Sequence, residues 1–135
     1  MVTRDVELAE IEVFKRIIDE LGDFLFFIDF FNYGEPLLNP RLGDFIQIAA
    51  QKKISTCVST NLSLPLSDAR IRGLVSSGLH HLLVSLDGAS AETYSTYRRK
   101  GNFDLVVKNL RKIIATKKEL GLKNPFVTWR MLIFR

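Results

Sequence analysis

The sequence predicts an α/β protein with a parallel sheet built from about four β/α units. Segments with apolar residues at helical spacing alternate with short runs rich in β-branched and aromatic residues. Strands separated by helices form right-handed β-α-β units, so the order α-β-α-β-α-β-α-β indicates a parallel sheet. Because four strands cannot close an eight-stranded barrel, residues 1–135 are expected to form a single domain that is either a small open sheet or a fragment of something larger.

The first helix and strand are predicted within residues 6–31. Residues 6–21 carry an apolar stripe that includes Ile11 and Ile18, and Gly22 ends the helix. The run FLFFIDFF, residues 24–31, predicts a strand buried on both faces. Its phenylalanines, together with Trp129, are expected in the core.

Capping residues predict where the other helices begin. Asn39 is suited to an N-cap position with Pro40 at the first helical position. Ser67, Ser90 and Asn102 are the N-caps expected for three later helices. The strands between these helices are expected at residues 54–60, 80–88 and 126–134.

Composition limits the classes of function. The net charge is +4, and most basic residues of 107–123 alternate with apolar ones at helical spacing, so we expect a solvated helix face and no nucleic-acid partner. No apolar run is long enough to cross a bilayer and the first residues lack a signal-peptide pattern, so we expect no membrane partner and a cytoplasmic location. The single cysteine, Cys57, can form neither an internal disulfide nor a CxxC metal site.

Polar residues follow each of the first three predicted strands. Because ligands of parallel α/β proteins gather beyond the carboxyl ends of the strands, these residues predict a binding site at one rim of the sheet. They are Gly34, Glu35, Thr60, Asn61, Ser85, Asp87 and Gly88.

Three stretches together resemble the radical S-adenosylmethionine (radical SAM) enzymes, in particular the maturase branch with a cysteine-rich SPASM-like domain. They are FNYGEPLLNP (31–40), VSTNLSL (58–64) and the segment from Ser77 to Ile113 that contains SLDG and YRRKG. The resemblance covers residues 11–135. It implies a partial (β/α) barrel in which the first strand here is the family's second.

The resemblance also implies two cofactors, S-adenosylmethionine and a [4Fe–4S] cluster held by a CxxxCxxC motif. That motif is not in this sequence, so the chain is expected to be a fragment that is inactive alone. In intact form it would generate a 5′-deoxyadenosyl radical that abstracts hydrogen from a peptide or small-molecule substrate.

Individual residues take their roles from the same resemblance. Gly34-Glu35-Pro36 would receive the amino group of the cofactor, because free carbonyls and a carboxylate suit an ammonium. Ser85 and Arg98 would bind its carboxylate and ribose, and Arg99 could exchange with Arg98.

Three more residues have structural alternatives. Asp87 could bind a ribose hydroxyl or cap the turn at Gly88. Thr60 and Asn61 could line the pocket or stabilise a tight turn, and Leu62 stands where the family usually has glycine.

The residues alone are also compatible with other functions and structural roles. The chain could be a non-catalytic α/β binding module, or an unrelated (β/α)-barrel enzyme that uses Glu35 and Asp87 as acid and base. Asp29 could face the barrel interior, but an ion pair with Arg130 is the favoured expectation because a buried charge needs a partner. Cys57 is expected to be a small core residue. No oligomeric state follows.

Overall fold

The computed structural model describes residues 8–131, and there it confirms the α/β class and the predicted order of elements. The end of the expected last strand, residues 132–134, lies outside the described residues, as do the first positions of the expected first helix. The helices are α1 (Ile11–Leu21), α2 (Leu42–Gln51), α3 (Asp68–Ser76), α4 (Ala91–Tyr97) and α5 (Phe103–Glu119). The strands are β1 (Phe27–Asp29), β2 (Ser55–Thr60), β3 (His81–Ser85) and β4 (Phe126–Arg130).

The sheet is parallel, with strand order β1-β2-β3-β4. Each strand lies beside its predecessor in the chain, as in (β/α) barrels, whereas a doubly wound sheet reverses its order. The polar carboxyl ends of the first three strands therefore meet at one rim.

The helices pack on one face of the sheet. Side chains alternate along a strand, so Val58, Leu82 and Val84 point to the same face, and all three are fully buried with apolar residues of α2, α3 and α5. The opposite face carries alternate residues that are more polar. It includes Asp29, Cys57, Ser59, His81, Leu83, Ser85, Thr128 and Arg130.

The expectation that the first strand is buried on both faces is wrong for this chain. β1 is an edge strand of the sheet, and the side chains of Phe26 and Phe27 are 86% and 50% exposed. Trp129, in the other edge strand, is 53% exposed and is likewise not a core residue. An edge strand has a neighbour on one side only, so apolar residues that would be covered in a central strand remain accessible.

The expected cap of α2 is also wrong. α2 begins at Leu42 after Arg41, and the Asn39 side chain accepts a hydrogen bond from the Arg41 N–H at 2.9 Å. The Asn39 N–H closes a 3₁₀ turn over Pro36–Leu38, and a further turn at residues 40–41 separates it from the helix. The other three expected caps are confirmed: Ser67, Ser90 and Asn102 each accept a backbone N–H of the first turn that they cap.

Asp29 and Arg130 do not form the expected ion pair. They lie in β1 and β4, on opposite edges of the sheet, and no ion pair joins them in residues 8–131. Both lie on the helix-free face, where solvent can replace the missing partner. Among the described residues, no helix is both long and apolar enough to span a membrane.

Candidate functional site

Glu35 fastens the loop after β1 to the end of β2. One carboxylate oxygen accepts hydrogen bonds from the Thr60 hydroxyl at 2.6 Å and from the Leu37 N–H at 3.1 Å. The other oxygen accepts the Asn61 N–H at 2.8 Å. Three donors thus occupy a half-buried carboxylate that has about four acceptor positions, and one position remains for a ligand.

Gly34 gives this loop its shape. Its φ of +82° lies in the left-handed region that favours glycine, and nothing lies within 4 Å of where a Cβ would be. The backbone carbonyls of Asn32, Tyr33 and Gly34 accept no hydrogen bond from another described residue. Free acceptors therefore lie beside the Glu35 carboxylate at the rim.

The turn after β2 is stabilised from two sides. The Thr60 hydroxyl accepts the Leu62 N–H at 2.9 Å, and the buried Asn109 amide of α5 donates to the carbonyls of Leu62 and Leu64 at 3.0 and 2.9 Å. Leu62 is fully buried yet has a φ of +55°. Thr60 therefore stabilises the turn, the structural one of its two expected roles, and its hydroxyl also donates to Glu35.

Asp87 and Arg98 form an ion pair beyond the end of β3. The Arg98 Nε and a terminal nitrogen lie 2.9 and 2.6 Å from one carboxylate oxygen of Asp87, which is buried. Gly88 follows, and a Cβ there would be 2.3 Å from the backbone nitrogen of Tyr94. The loop after β3 is therefore packed directly onto α4, and Arg98 is held at the rim by Asp87.

Ser85 contacts Arg130 and not Arg98. A terminal nitrogen of Arg130 lies 3.3 Å from the Ser85 hydroxyl, and the Trp129 indole donates to the Leu86 carbonyl at 3.1 Å. These two contacts join the ends of β3 and β4. Arg130 is a rim residue, whereas the sequence predicts it as the partner of Asp29. Its alternation with Thr128 places it on the helix-free face, beside Ser85.

The rim has two halves, one around Glu35, Thr60 and Asn61 and the other around Asp87 and Arg98. A cavity of about 250 Å³ lies between them. Asn61 from the first half and Arg98 from the second both line it, together with Tyr94 and Gly101. Sequence reasoning did not identify Tyr94 as a rim residue. The available signal was its spacing from Gly88 and Gly101, the two glycines against which it packs.

Comparison with known proteins identifies the family. The family model described as "Radical SAM superfamily" matches residues 2–133. The chain belongs to the radical SAM superfamily. This membership confirms the resemblance found in the sequence and rules out an unrelated barrel enzyme.

This radical SAM chain is similar in sequence to several curated proteins. The GTP 3′,8-cyclase of Chlorobaculum tepidum is 36% identical over 64% of the chain, and the mycofactocin maturase MftC of Mycolicibacterium smegmatis is 29% identical over 82%. The AdoMet-dependent heme synthase of Methanosarcina barkeri is 31% identical over 62%. The chain spans 24–28% of the length of these three relatives.

Two solved structures share the fold. BtrN, solved with AdoMet and 2-DOIA, superposes with a TM-score of 0.58 at 18% identity, over 95% of this chain and 46% of that chain. Archaeal TYW1 superposes with a TM-score of 0.56 at 21% identity, over 98% and 50%. They confirm the partial barrel that the sequence predicts.

The radical SAM family implies S-adenosylmethionine as a cofactor, and the rim offers groups that fit it. A protonated amine needs several acceptors close together. The free carbonyls of residues 32–34 and the remaining position of the Glu35 carboxylate supply them. The residues present are therefore chemically suited to its amino end.

The family also implies a [4Fe–4S] cluster, and these residues do not fit it. A cluster needs several thiolates, whereas the sequence has only Cys57. Cys57 is buried in β2, and burial, followed by the nearby Asp29 carboxylate, raises the pKa of its thiol. A raised pKa disfavours the thiolate that binds metal. Within residues 8–131 no group of three or more His, Cys, Asp or Glu side chains could hold a metal ion.

Proposed function

We propose that this chain supplies the part of a radical SAM enzyme that binds the amino acid end of S-adenosylmethionine. When bound beside a reduced cluster, the cofactor supplies a 5′-deoxyadenosyl radical that abstracts hydrogen from a peptide or small-molecule substrate. The cluster ligands would come from a CxxxCxxC-bearing segment outside these 135 residues. Without that segment the chain is expected to be inactive.

The observation that carries this proposal is the triply bonded Glu35. Its contacts to Thr60, Asn61 and Leu37 fasten the Gly34 loop at the rim, where the carbonyls of residues 32–34 have no hydrogen-bond partner among the described residues. A site whose acceptors are already oriented loses little conformational entropy when it binds an ammonium. Pro36 restricts the backbone directly after Glu35.

The remaining rim residues would bind the other parts of the cofactor. Ser85 would hydrogen-bond its carboxylate, with Arg130 beside it as a source of positive charge. Arg98, oriented by Asp87, would reach the carboxylate or the ribose, and Asp87 would act mainly by holding Arg98. Asn61 lies between these groups and would line the pocket.

A non-catalytic binding module is the second candidate, favoured by the absence of cluster ligands from the sequence. Such a module would bind a ligand at the same rim but would not cleave S-adenosylmethionine. Anaerobic reconstitution distinguishes the two: a form of the protein that carries the cysteine segment incorporates iron and cleaves S-adenosylmethionine only if the first proposal is correct.

Binding of the cofactor by the chain itself is testable without a cluster. We expect S-adenosylmethionine to shift the backbone amide NMR signals of residues 32–35 and 60–61. Methylthioadenosine, which lacks the amino and carboxyl groups, should not shift them. Gly34→Val should abolish the effect, because a β-branched residue strongly disfavours the φ of +82° at this position.

Gly121→Val is the matched control. Gly121 also has a positive φ, +64°, with open space around it, but it follows α5 and is not among the rim residues. This variant should respond to S-adenosylmethionine like the unmodified chain. Equal responses from both valine variants would contradict the assignment of the amino end to the Gly34 loop.

A further inference from the structure

The cavity between the rim's two halves has a one-sided charge. Three cationic side chains line it, Arg98, Arg99 and Lys100, and none of its lining residues is acidic. The nearby acid Asp104 lines a different cavity on α5. A small space whose charged lining residues are all cations favours an anionic occupant.

Two of the three cations that line this cavity are not neutralised by any described residue. Arg98 forms an ion pair with Asp87, but Arg99 and Lys100 form no ion pair within the described residues. The cavity also adjoins the start of α5, because Gly101 lines it and Asn102 is the N-cap. The positive end of this 17-residue helix dipole adds to the two free cations.

A second, independent observation comes from Tyr94. It is 1% exposed, and its hydroxyl has no hydrogen-bond partner in the described part of the chain. Tyr94 lines the cavity, and its hydroxyl end lies against Gly101, where a Cβ would be 2.4 Å from the oxygen. A buried hydroxyl without a partner is unfavourable, and a ligand that accepts its hydrogen bond removes that penalty.

We propose that this cavity binds an oxyanion, the phosphate or carboxylate group of the enzyme's substrate. Arg99 and Lys100 supply the charge, and the Tyr94 hydroxyl supplies a hydrogen bond. The site is distinct from the carbonyls of the Gly34 loop. The assignment of this anion to a substrate rests on the proposed function. The oxyanion site itself does not, because it consists of residues of this chain.

Calorimetric titration of the full chain with inorganic pyrophosphate, at fixed ionic strength, tests the proposal. We expect saturable binding that Arg99→Ala and Lys100→Ala each weaken about tenfold, the effect of losing one hydrogen bond to a charged group. Arg111→Ala is the control, because Arg111 is an exposed cation of α5 that lines the other cavity. It should bind like the unmodified chain.

Tyr94→Phe separates binding from packing. Removal of the unpartnered hydroxyl should leave the melting temperature without pyrophosphate unchanged or higher, while binding weakens several-fold. A tyrosine with a purely structural role would show no change in binding. Arg99 and Lys100 are exposed, so their variants give an answer even if Tyr94→Phe folds poorly.

The absence of saturable binding, or equal losses in Arg99→Ala and Arg111→Ala, would overturn the proposal. The source of the anion is decided by a titration in excess S-adenosylmethionine. Undiminished pyrophosphate binding supports a substrate group, whereas competition would assign the cavity to the cofactor's carboxylate and overturn the assignment to substrate. Because the Gly34→Val experiment uses different signals and a different ligand, either proposal can fail while the other stands.

Discussion

At the residue scale, single side chains at the rim have structural partners that fix their orientation. Glu35 accepts three hydrogen bonds, and Asp87 holds Arg98 in place. Both carboxylates therefore position other groups at the rim, and Glu35 keeps one acceptor position for a ligand. Leu62 differs, because its buried side chain stabilises the turn while its left-handed backbone opposes it.

Leu62 gives a prediction about this conflict. Leu62→Ala should lower the free energy of unfolding by about 2–5 kcal/mol, the usual cost of truncating a buried leucine. Leu62→Gly should be no more destabilising than Leu62→Ala, because glycine relieves about 1–2 kcal/mol of left-handed strain at φ +55°. Urea denaturation of both variants measures the difference.

The matched position for Leu62 is Leu82, fully buried in the middle of β3 with no positive φ. There Leu→Gly should be clearly worse than Leu→Ala. The same order of stability at both positions would contradict strain at Leu62.

At the element scale, the longest helix supports the loop that carries part of the site. α5 contributes Val106 and Ile113 to the core, but it also contributes the buried Asn109, which donates to two carbonyls of the loop after β2. Ion pairs between Arg72 and Glu119 and between Asp68 and Lys112 join α3 to α5 at the exposed surface. Such exposed pairs contribute little, so Asn109 is the stronger connection.

Asn109→Ala should therefore destabilise the protein by about 2–3 kcal/mol, because it leaves buried carbonyl groups without a donor. Lys108→Ala, at the exposed neighbouring position, should change the free energy of unfolding by less than about 0.5 kcal/mol. Thermal or urea unfolding of both variants measures the contrast. A similar small effect for Asn109→Ala would show that the loop does not depend on α5.

At the scale of the whole molecule, the sheet is covered by helices on one face and its edge strand β1 is accessible. Phe27 of β1 and Phe26 directly before it are 50% and 86% exposed, and Val13 and Ile17 of α1 are 40% and 44% exposed. An accessible, apolar edge strand favours association with other chains.

We therefore expect the isolated chain to self-associate at high concentration and Phe26→Asp to reduce this association. Ile114→Asp is the control, because Ile114 is 45% exposed on α5, away from the edge. Light scattering across a concentration series measures both variants. If the two substitutions reduce association equally, the edge strand is not its cause.

Much of this molecule could be predicted from local patterns. The N-caps at Ser67, Ser90 and Asn102 are confirmed because a cap depends on a side chain and the backbone three residues later. The expected cap at Asn39 failed because its side chain accepts the Arg41 N–H in a turn that precedes the helix, and the helix begins only at Leu42. The pairing of Asp29 with Arg130 failed because charge type predicts a partner only when strand order is known.

The sequence by itself determined the α/β order, the polar rim and the resemblance to radical SAM enzymes, because apolar periodicity and short motifs are local properties of a chain. Only the tertiary structure decided which rim residues meet. Glu35 joins Thr60 and Asn61 from 25 and 26 residues away, and Arg98 closes on Asp87 while Ser85 turns to Arg130. Such contacts depend on strand register and on which sheet edges stay open, and neither is encoded in any single segment.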